Sequence, residues 1–145
     1  MRGAALAMLE HTLDLPDVVA ATGGRLRTGA PSPLRFARVS IDSRTVAAGD
    51  LFVAVKGPRF DGHDFLAAAA EKGALAALVH RDAPAPAGFP VVQVADTTSA
   101  LAALGSHRRR QAAIPVVAVT GSAGKTTTKE MTASLLSRRG PLLKT

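Results

Sequence analysis

The segment from Val116 to Thr128 constrains this chain more than any other: Val-Val-Ala-Val is followed by Thr120, Gly121, Ser122, Ala123, Gly124, Lys125, Thr126, Thr127 and Thr128. An apolar run suited to a buried strand leads into a glycine-rich turn, and a helix is expected from about Gly124 to Ser137. Strand, glycine turn and helix in that order form the context of a phosphate-binding loop. Gly121 and Gly124 let the backbone approach phosphate oxygens, and the helix N-terminus adds positive potential. Lys125 is placed to reach β- and γ-phosphates, and the Thr126 hydroxyl to ligate magnesium. The commoner long form of the loop has its first glycine where this chain has Val119, so the spacing here is the short Gly-x-x-Gly-Lys-Thr. The bland alternative is a glycine turn joining a strand to a helix.

The rest of the chain alternates apolar runs with helical stretches, which predicts an α/β fold with a largely parallel sheet. Asp14 is expected to cap a helix with Pro16 in its first turn, stopped by Gly23 and Gly24. Phe36–Ile41, Leu51–Val55, Leu75–Val79, Val91–Val94 and Pro115–Val119 read as strands, and Leu142–Thr145 as the start of one more. Asp64 is expected to cap a helix that Gly73 ends, and Asp96 or Thr97 another through Leu104. A domain boundary falls near Ala95, giving an N-terminal domain over 1–95 and the start of a second over 96–145. That second unit, of about 50 residues, is too small to cover both faces of a parallel sheet, so the sequence is expected to be truncated.

Composition removes several classes. There are no cysteines, and His11, His63, His80 and His107 are scattered without metal-ligand spacing. Any metal is expected to be magnesium arriving with a nucleotide. No run of apolar residues is long enough to span a membrane, and Met1–Leu15, carrying Glu10 and Asp14, does not read as a signal peptide, so the cytoplasm is expected. The net charge of +7 raises nucleic acid as a partner, but only 3% of residues are aromatic. The run Arg108-Arg109-Arg110 sits at an expected helix end, where cations suit the dipole.

A second candidate site lies upstream. Ser43 offers a hydroxyl and Arg44 a planar cation, both suited to a pyrophosphate or a uracil edge. Lys56, Gly57, Gly62 and His63 fall on a loop after a strand, where α/β proteins place ligands. The alternatives are a strand-end salt bridge for Arg44, a plain turn for the loop, and a helix-capping role for His63.

Thr120–Thr126 resembles the Thr-Gly-(Ser/Thr)-x-Gly-Lys-(Ser/Thr) loop of the Mur ligases, the ATP-dependent amide ligases of cell-wall precursor synthesis. Asp42-Ser43-Arg44, Gly49–Ala54 and Lys56–Phe65 are similar to the family's first domain, and the resemblance runs from about Thr12 to Thr145. The wording Arg59–Phe65 is closer to the branch that adds D-alanyl-D-alanine to UDP-N-acetylmuramoyl-tripeptide than to the sibling that adds the third amino acid. A P-loop kinase or GTPase would need the long spacing. The resemblance implies ATP and Mg2+ as cofactors, with Gly121, Ser122, Ala123, Gly124, Lys125, Thr126 and Thr127 on the nucleotide, Lys125 catalytic and Thr126 on the metal. It implies Ser43, Arg44, Lys56, Gly57, Gly62 and His63 on the UDP-sugar. It also implies a D-alanyl-D-alanine site outside this chain, a monomer when full length, and no catalysis by the 145 residues alone.

Overall fold

In the computed structural model, which describes residues 13–31, 33–112, 115–140, 142 and 144, the chain forms two units, Thr12–Gln111 and a second made of Met1–His11 with Ala112–Thr145. The reading of Met1–Leu15 and the strand expected from Leu142 lie largely outside the described residues. No helix among those residues is long and apolar enough to cross a membrane.

In the larger unit, β1 (Leu13–Asp14) runs straight into α1 (Leu15–Thr22). Asp14 caps α1 as expected: its carboxylate accepts the Asp17 N–H at 2.8 Å, and Gly23 closes the helix at φ 65°. Asp14→Ala is expected to cost about 1 kcal/mol of stability, read as a lower urea midpoint with unchanged slope.

β2 (Arg25–Leu26), β4 (Arg38–Ser40), β5 (Asp50–Val53), β6 (Ala76–Val79) and β7 (Val91–Gln93) form a five-stranded sheet in the order β2-β7-β6-β5-β4. It is parallel from β4 to β7, and β2 joins its edge antiparallel. β3 (Arg35–Phe36) pairs instead with β1 in a separate two-stranded sheet. The single strand expected over Phe36–Ile41 is therefore broken at Ala37, where the chain changes sheets and the Ala37 N–H bonds the Gly49 carbonyl at 2.8 Å.

Both faces of the sheet are buried, which explains apolar runs without polar alternation. Leu51, Val53, Ala76 and Leu78 face one core with Val18, Ala100 and Leu104. Phe52, Ala54, Ala77 and Val79 face the other with Leu66, Ala69 and Phe89. Asp50 is the one fully buried carboxylate among the described residues. Arg38, its partner in the parallel register, binds it through Nε at 3.0 Å and Nη2 at 2.8 Å, and the Ala47 N–H adds a third bond at 2.9 Å. The Arg38 hydrogen bonds outweigh burial and hold the Asp50 carboxyl below its ordinary range.

One expectation is corrected here. Asp64 does not cap the helix after the Lys56 loop: Asp61 accepts the His63 N–H at 3.0 Å and caps a 3-10 turn (Gly62–Phe65), and α2 (Leu66–Glu71) follows with Phe65 at its N-cap and no side-chain cap bond. The compact unit continues to Gln111, because α3 (Thr97–Ala112) buries Thr97, Ala100 and Leu104 against the sheet.

In the smaller unit, α4 (Lys125–Ser137) follows the glycine turn as expected. The strand expected over Pro115–Val119 is not formed, and Val116 and Val117 are exposed. An apolar segment becomes a strand only when a neighbour completes its ladder, and the described residues of this unit supply none.

Candidate functional site

The upstream candidates lie on loops that leave the C-terminal ends of adjacent parallel strands, the edge where open α/β sheets take ligands. After β4, Asp42 folds the chain into a tight turn by accepting the Arg44 N–H at 2.9 Å. The Arg44 side chain is 87% exposed, and its Nε and Nη2 engage the same carboxylate, the latter at 2.7 Å. This is the strand-end ion pair that the sequence left open. It holds the Asp42 carboxyl down at about 2, chiefly through the Arg44 side chain and backbone hydrogen bonds. Lys72, at the end of α2, reaches across to the carbonyls of Ser43 and Arg44 at 2.8 and 3.0 Å and fixes the turn from outside.

After β5, Lys56 and Asp61 close a hairpin by an isolated bridge, with Gly57 N–H on the Phe60 carbonyl and Gly62 N–H on the Val55 carbonyl. Lys56, Arg59 and Phe60 are exposed on it. The two glycines differ. A Cβ on Gly57 would meet nothing closer than 3.5 Å, whereas one on Gly62 would lie 2.8 Å from the Ala54 Cα and the Val55 N. Backbone crowding alone accounts for glycine at 62.

His63 is fully buried, so its ring has no surface to offer a substrate, and the expectation of a direct contact is corrected. Its Nδ1 lies 2.6 Å from Asp61 Oδ1, and Nε2 accepts the His80 N–H at 3.1 Å. Arg81 binds Asp61 and Asp64, both at 3.1 Å. Burial pushes the His63 pKa down against the opposing pull of Asp61. Burial would raise Asp61, but the His63 backbone and ring and Arg81 prevail and hold it well below the carboxylate range. Lys72, His80 and Arg81 escaped the sequence reading, because their partners are distant in the chain and no local pattern marks them.

These shifts set a pH profile. A histidine held neutral stabilises fully above its ordinary 6.5 and less as pH falls toward its lowered value. Depressed carboxylates (Asp42, Asp50, Asp61) stabilise above 3.8 and lose this as pH falls further. The denaturation midpoint is expected to be level above pH 7, to decline below 6.5 and to decline again below 3.8. A His63→Gln chain should lack the first decline.

The glycine turn and the helix after it form, without the strand expected before them. Gly121 and Gly124 have φ of 150° and 75°, the left-handed range that favours glycine. No side chain caps α4, and its ladder begins with Thr128 N–H on the Gly124 carbonyl at 2.9 Å. The amides of Lys125, Thr126 and Thr127 thus precede the ladder, beside the glycine turn. Lys125 Nζ folds back onto the Gly121 carbonyl at 2.5 Å, laying its charge over the loop. No cluster of three His, Cys, Asp or Glu that would hold a metal occurs among the described residues.

Residues 35–109 match the Mur ligase family, catalytic domain. The chain is 48% identical over 107 residues to the UDP-N-acetylmuramoyl-tripeptide–D-alanyl-D-alanine ligase of Escherichia coli (strain K12), covering 74% of this chain and 23% of that protein. It is 40% identical over 101 residues to the UDP-N-acetylmuramoyl-L-alanyl-D-glutamate–2,6-diaminopimelate ligase of Geobacter sulfurreducens, covering 68% of this chain and 20% of the relative. A crystal structure of MurF from Acinetobacter baumannii superposes with TM-score 0.82 at 42% identity, over 90% of this chain and 29% of that one. MurF ligase from Thermotoga maritima in complex with ADP gives 0.64 at 41% identity, over 70% of this chain and 23% of the other. The chain spans less than a third of the length of each of these relatives.

Proposed function

The chain belongs to the Mur ligase family, and from that premise we infer that it forms the nucleotide-sugar-binding end and the phosphate loop of a ligase joining D-alanyl-D-alanine to UDP-N-acetylmuramoyl-tripeptide. The observation that carries this reading is the pairing of two unlike elements in one chain. One is the uncapped, glycine-led start of α4 with Lys125 laid over it; the other is the pair of cation-bearing loops at the strand ends of the larger unit. The identity to ligases of this substrate class supports it, as does the ADP complex of the Thermotoga relative.

In this reading Ser43, Arg44, Lys56, Gly57 and Gly62 line the path of the UDP-sugar, and His63 supports them from below. The smaller unit takes ATP and Mg2+ along Gly121–Thr127, with Thr126 as the protein's ligand to the ion. A carboxylate is a poor electrophile, so a carboxylate oxygen of the peptide first attacks the γ-phosphorus, and ADP leaves. The amine of D-alanyl-D-alanine then attacks the acyl phosphate carbon, and inorganic phosphate departs. Lys125 and the loop amides stabilise charge on the phosphoryl group in flight. In this reading 1–95 is the substrate-binding domain and 96–145 opens the ATP-binding domain. The reading carries with it a cytoplasmic site of action and a monomeric full-length enzyme.

The test is ADP release by the full-length ligase. Turnover is expected only with ATP, UDP-N-acetylmuramoyl-tripeptide and D-alanyl-D-alanine together. Turnover with UDP-N-acetylmuramoyl-dipeptide and a diamino acid instead would assign the chain to the sibling activity of the Geobacter relative. The 145 residues alone are expected to release no ADP with the same mixture; measurable amide formation would overturn that.

A further inference from the structure

The His63 network does more than satisfy a buried ring. Because a backbone N–H can only donate, Nε2 of His63, 3.1 Å from the His80 nitrogen, carries no proton. The neutral ring therefore has its proton on Nδ1 and donates it to Asp61 Oδ1 at 2.6 Å. Asp61 is the closing residue of the Lys56 hairpin, and its other oxygen takes Arg81.

On the far side of the bond the same logic runs on. The Thr97 hydroxyl donates to the Ala54 carbonyl at 2.9 Å, so its oxygen accepts from His80 Nδ1 at 3.1 Å. The His63 and His80 rings meet edge to face at 4.4 Å. One chain of directed bonds thus joins the residues that follow β5 and β6, the first residue of α3 and the hairpin. Its centre, His63, is beyond the reach of any ligand.

We propose that His63 is a positioning residue: bridging the His80 N–H and the Asp61 carboxylate, it fixes the Lys56–Asp61 hairpin in the orientation that receives the nucleotide-sugar. This rests on the reading of that hairpin as a contact for the UDP-sugar.

Two substitutions separate the ends of the bridge. His63→Gln supplies a terminal oxygen for the His80 N–H and gives up the donor to Asp61. His63→Asn supplies the donor and leaves a buried backbone N–H unpaired, so it should lose stability as well. The experiment follows two readouts in the 145-residue chain: the Kd for UDP-N-acetylmuramoyl-tripeptide by calorimetry, and amide hydrogen exchange at Gly57 and Gly62. For His63→Gln we expect binding at least tenfold weaker and exchange at both glycines at least tenfold faster, with the rest of the sheet protected as in the parent. In the full-length ligase the same variant should raise KM for the nucleotide-sugar while kcat and the KM for ATP hold.

Wild-type affinity in a His63→Gln chain, or weaker binding with unchanged exchange, would overturn the positioning role. If the parent chain binds no UDP-sugar at all, the functional reading falls by itself. The exchange arm then decides alone: unchanged protection at Gly57 and Gly62 defeats the lock, and faster exchange upholds it.

Discussion

Lys125→Ala is expected to lower ATP-dependent amide formation by the full-length ligase about a thousandfold, equivalent to roughly 4 kcal/mol of transition-state stabilisation. The ammonium already lies over the loop, 2.5 Å from the Gly121 carbonyl, and in the proposed reading this is where phosphoryl charge develops. Helical amides remain in the variant, which is why loss of turnover rather than loss of fold is expected. Stopped assays of ADP release should show the drop with circular dichroism unchanged. A variant within tenfold of the parent would remove Lys125 from the chemistry. Lys125→Arg should recover little, because a planar fork cannot occupy the position of a compact ammonium.

Gly62→Ala should be strongly destabilising, at about 3 kcal/mol. The added Cβ meets backbone rather than a movable side chain, at 2.8 Å from both the Ala54 Cα and the Val55 N. Either β5 or the hairpin must give way. For a unit of about 100 residues this corresponds to a Tm lower by roughly 12–24 °C. Gly57→Ala, with 3.5 Å of clearance, is the control and should melt near the parent. Equal melting of the two variants would show that the hairpin yields freely, and would weaken the case that it is held in one orientation.

Much of this was legible before any coordinates. Asp14, Pro16 and Gly23 mark α1 at both ends because caps act over three or four residues, within reach of a local pattern. The buried strands declare themselves by apolar runs, and the phosphate loop by glycine spacing. What escaped depends on distance along the chain. Asp61 and Asp64 are both plausible caps in Asp-Gly-His-Asp, and only the 3-10 turn chooses between them. His63 beside a glycine loop reads as a ligand or as a helix cap, and only the fold shows its ring buried. Lys72 on Ser43, and Arg81 on Asp61, join segments that only the parallel sheet brings together. That α3 packs into the first core, past the boundary expected near Ala95, depends on Ala100 and Leu104 meeting strands far away in sequence. The strand expected before the phosphate loop shows the opposite limit, since a pattern can name a strand without a ladder to hold it.

The pair formed by Arg38 and Asp50 has a consequence for how the sheet finds its alignment. β4 (Arg38, Val39, Ser40) lies at the sheet edge and adds no residue to either core, so the hydrophobic pattern offers little to forbid a slip of β4 against β5 by one residue. The carboxylate forbids it. Asp50 and Arg38 are direct register partners, and a slipped strand would leave a charge in the interior without its counter-ion, at a cost of several kcal/mol. The pair thus works as an indexing pin, making misaligned pairings of these two strands short-lived during folding rather than adding much to the final stability.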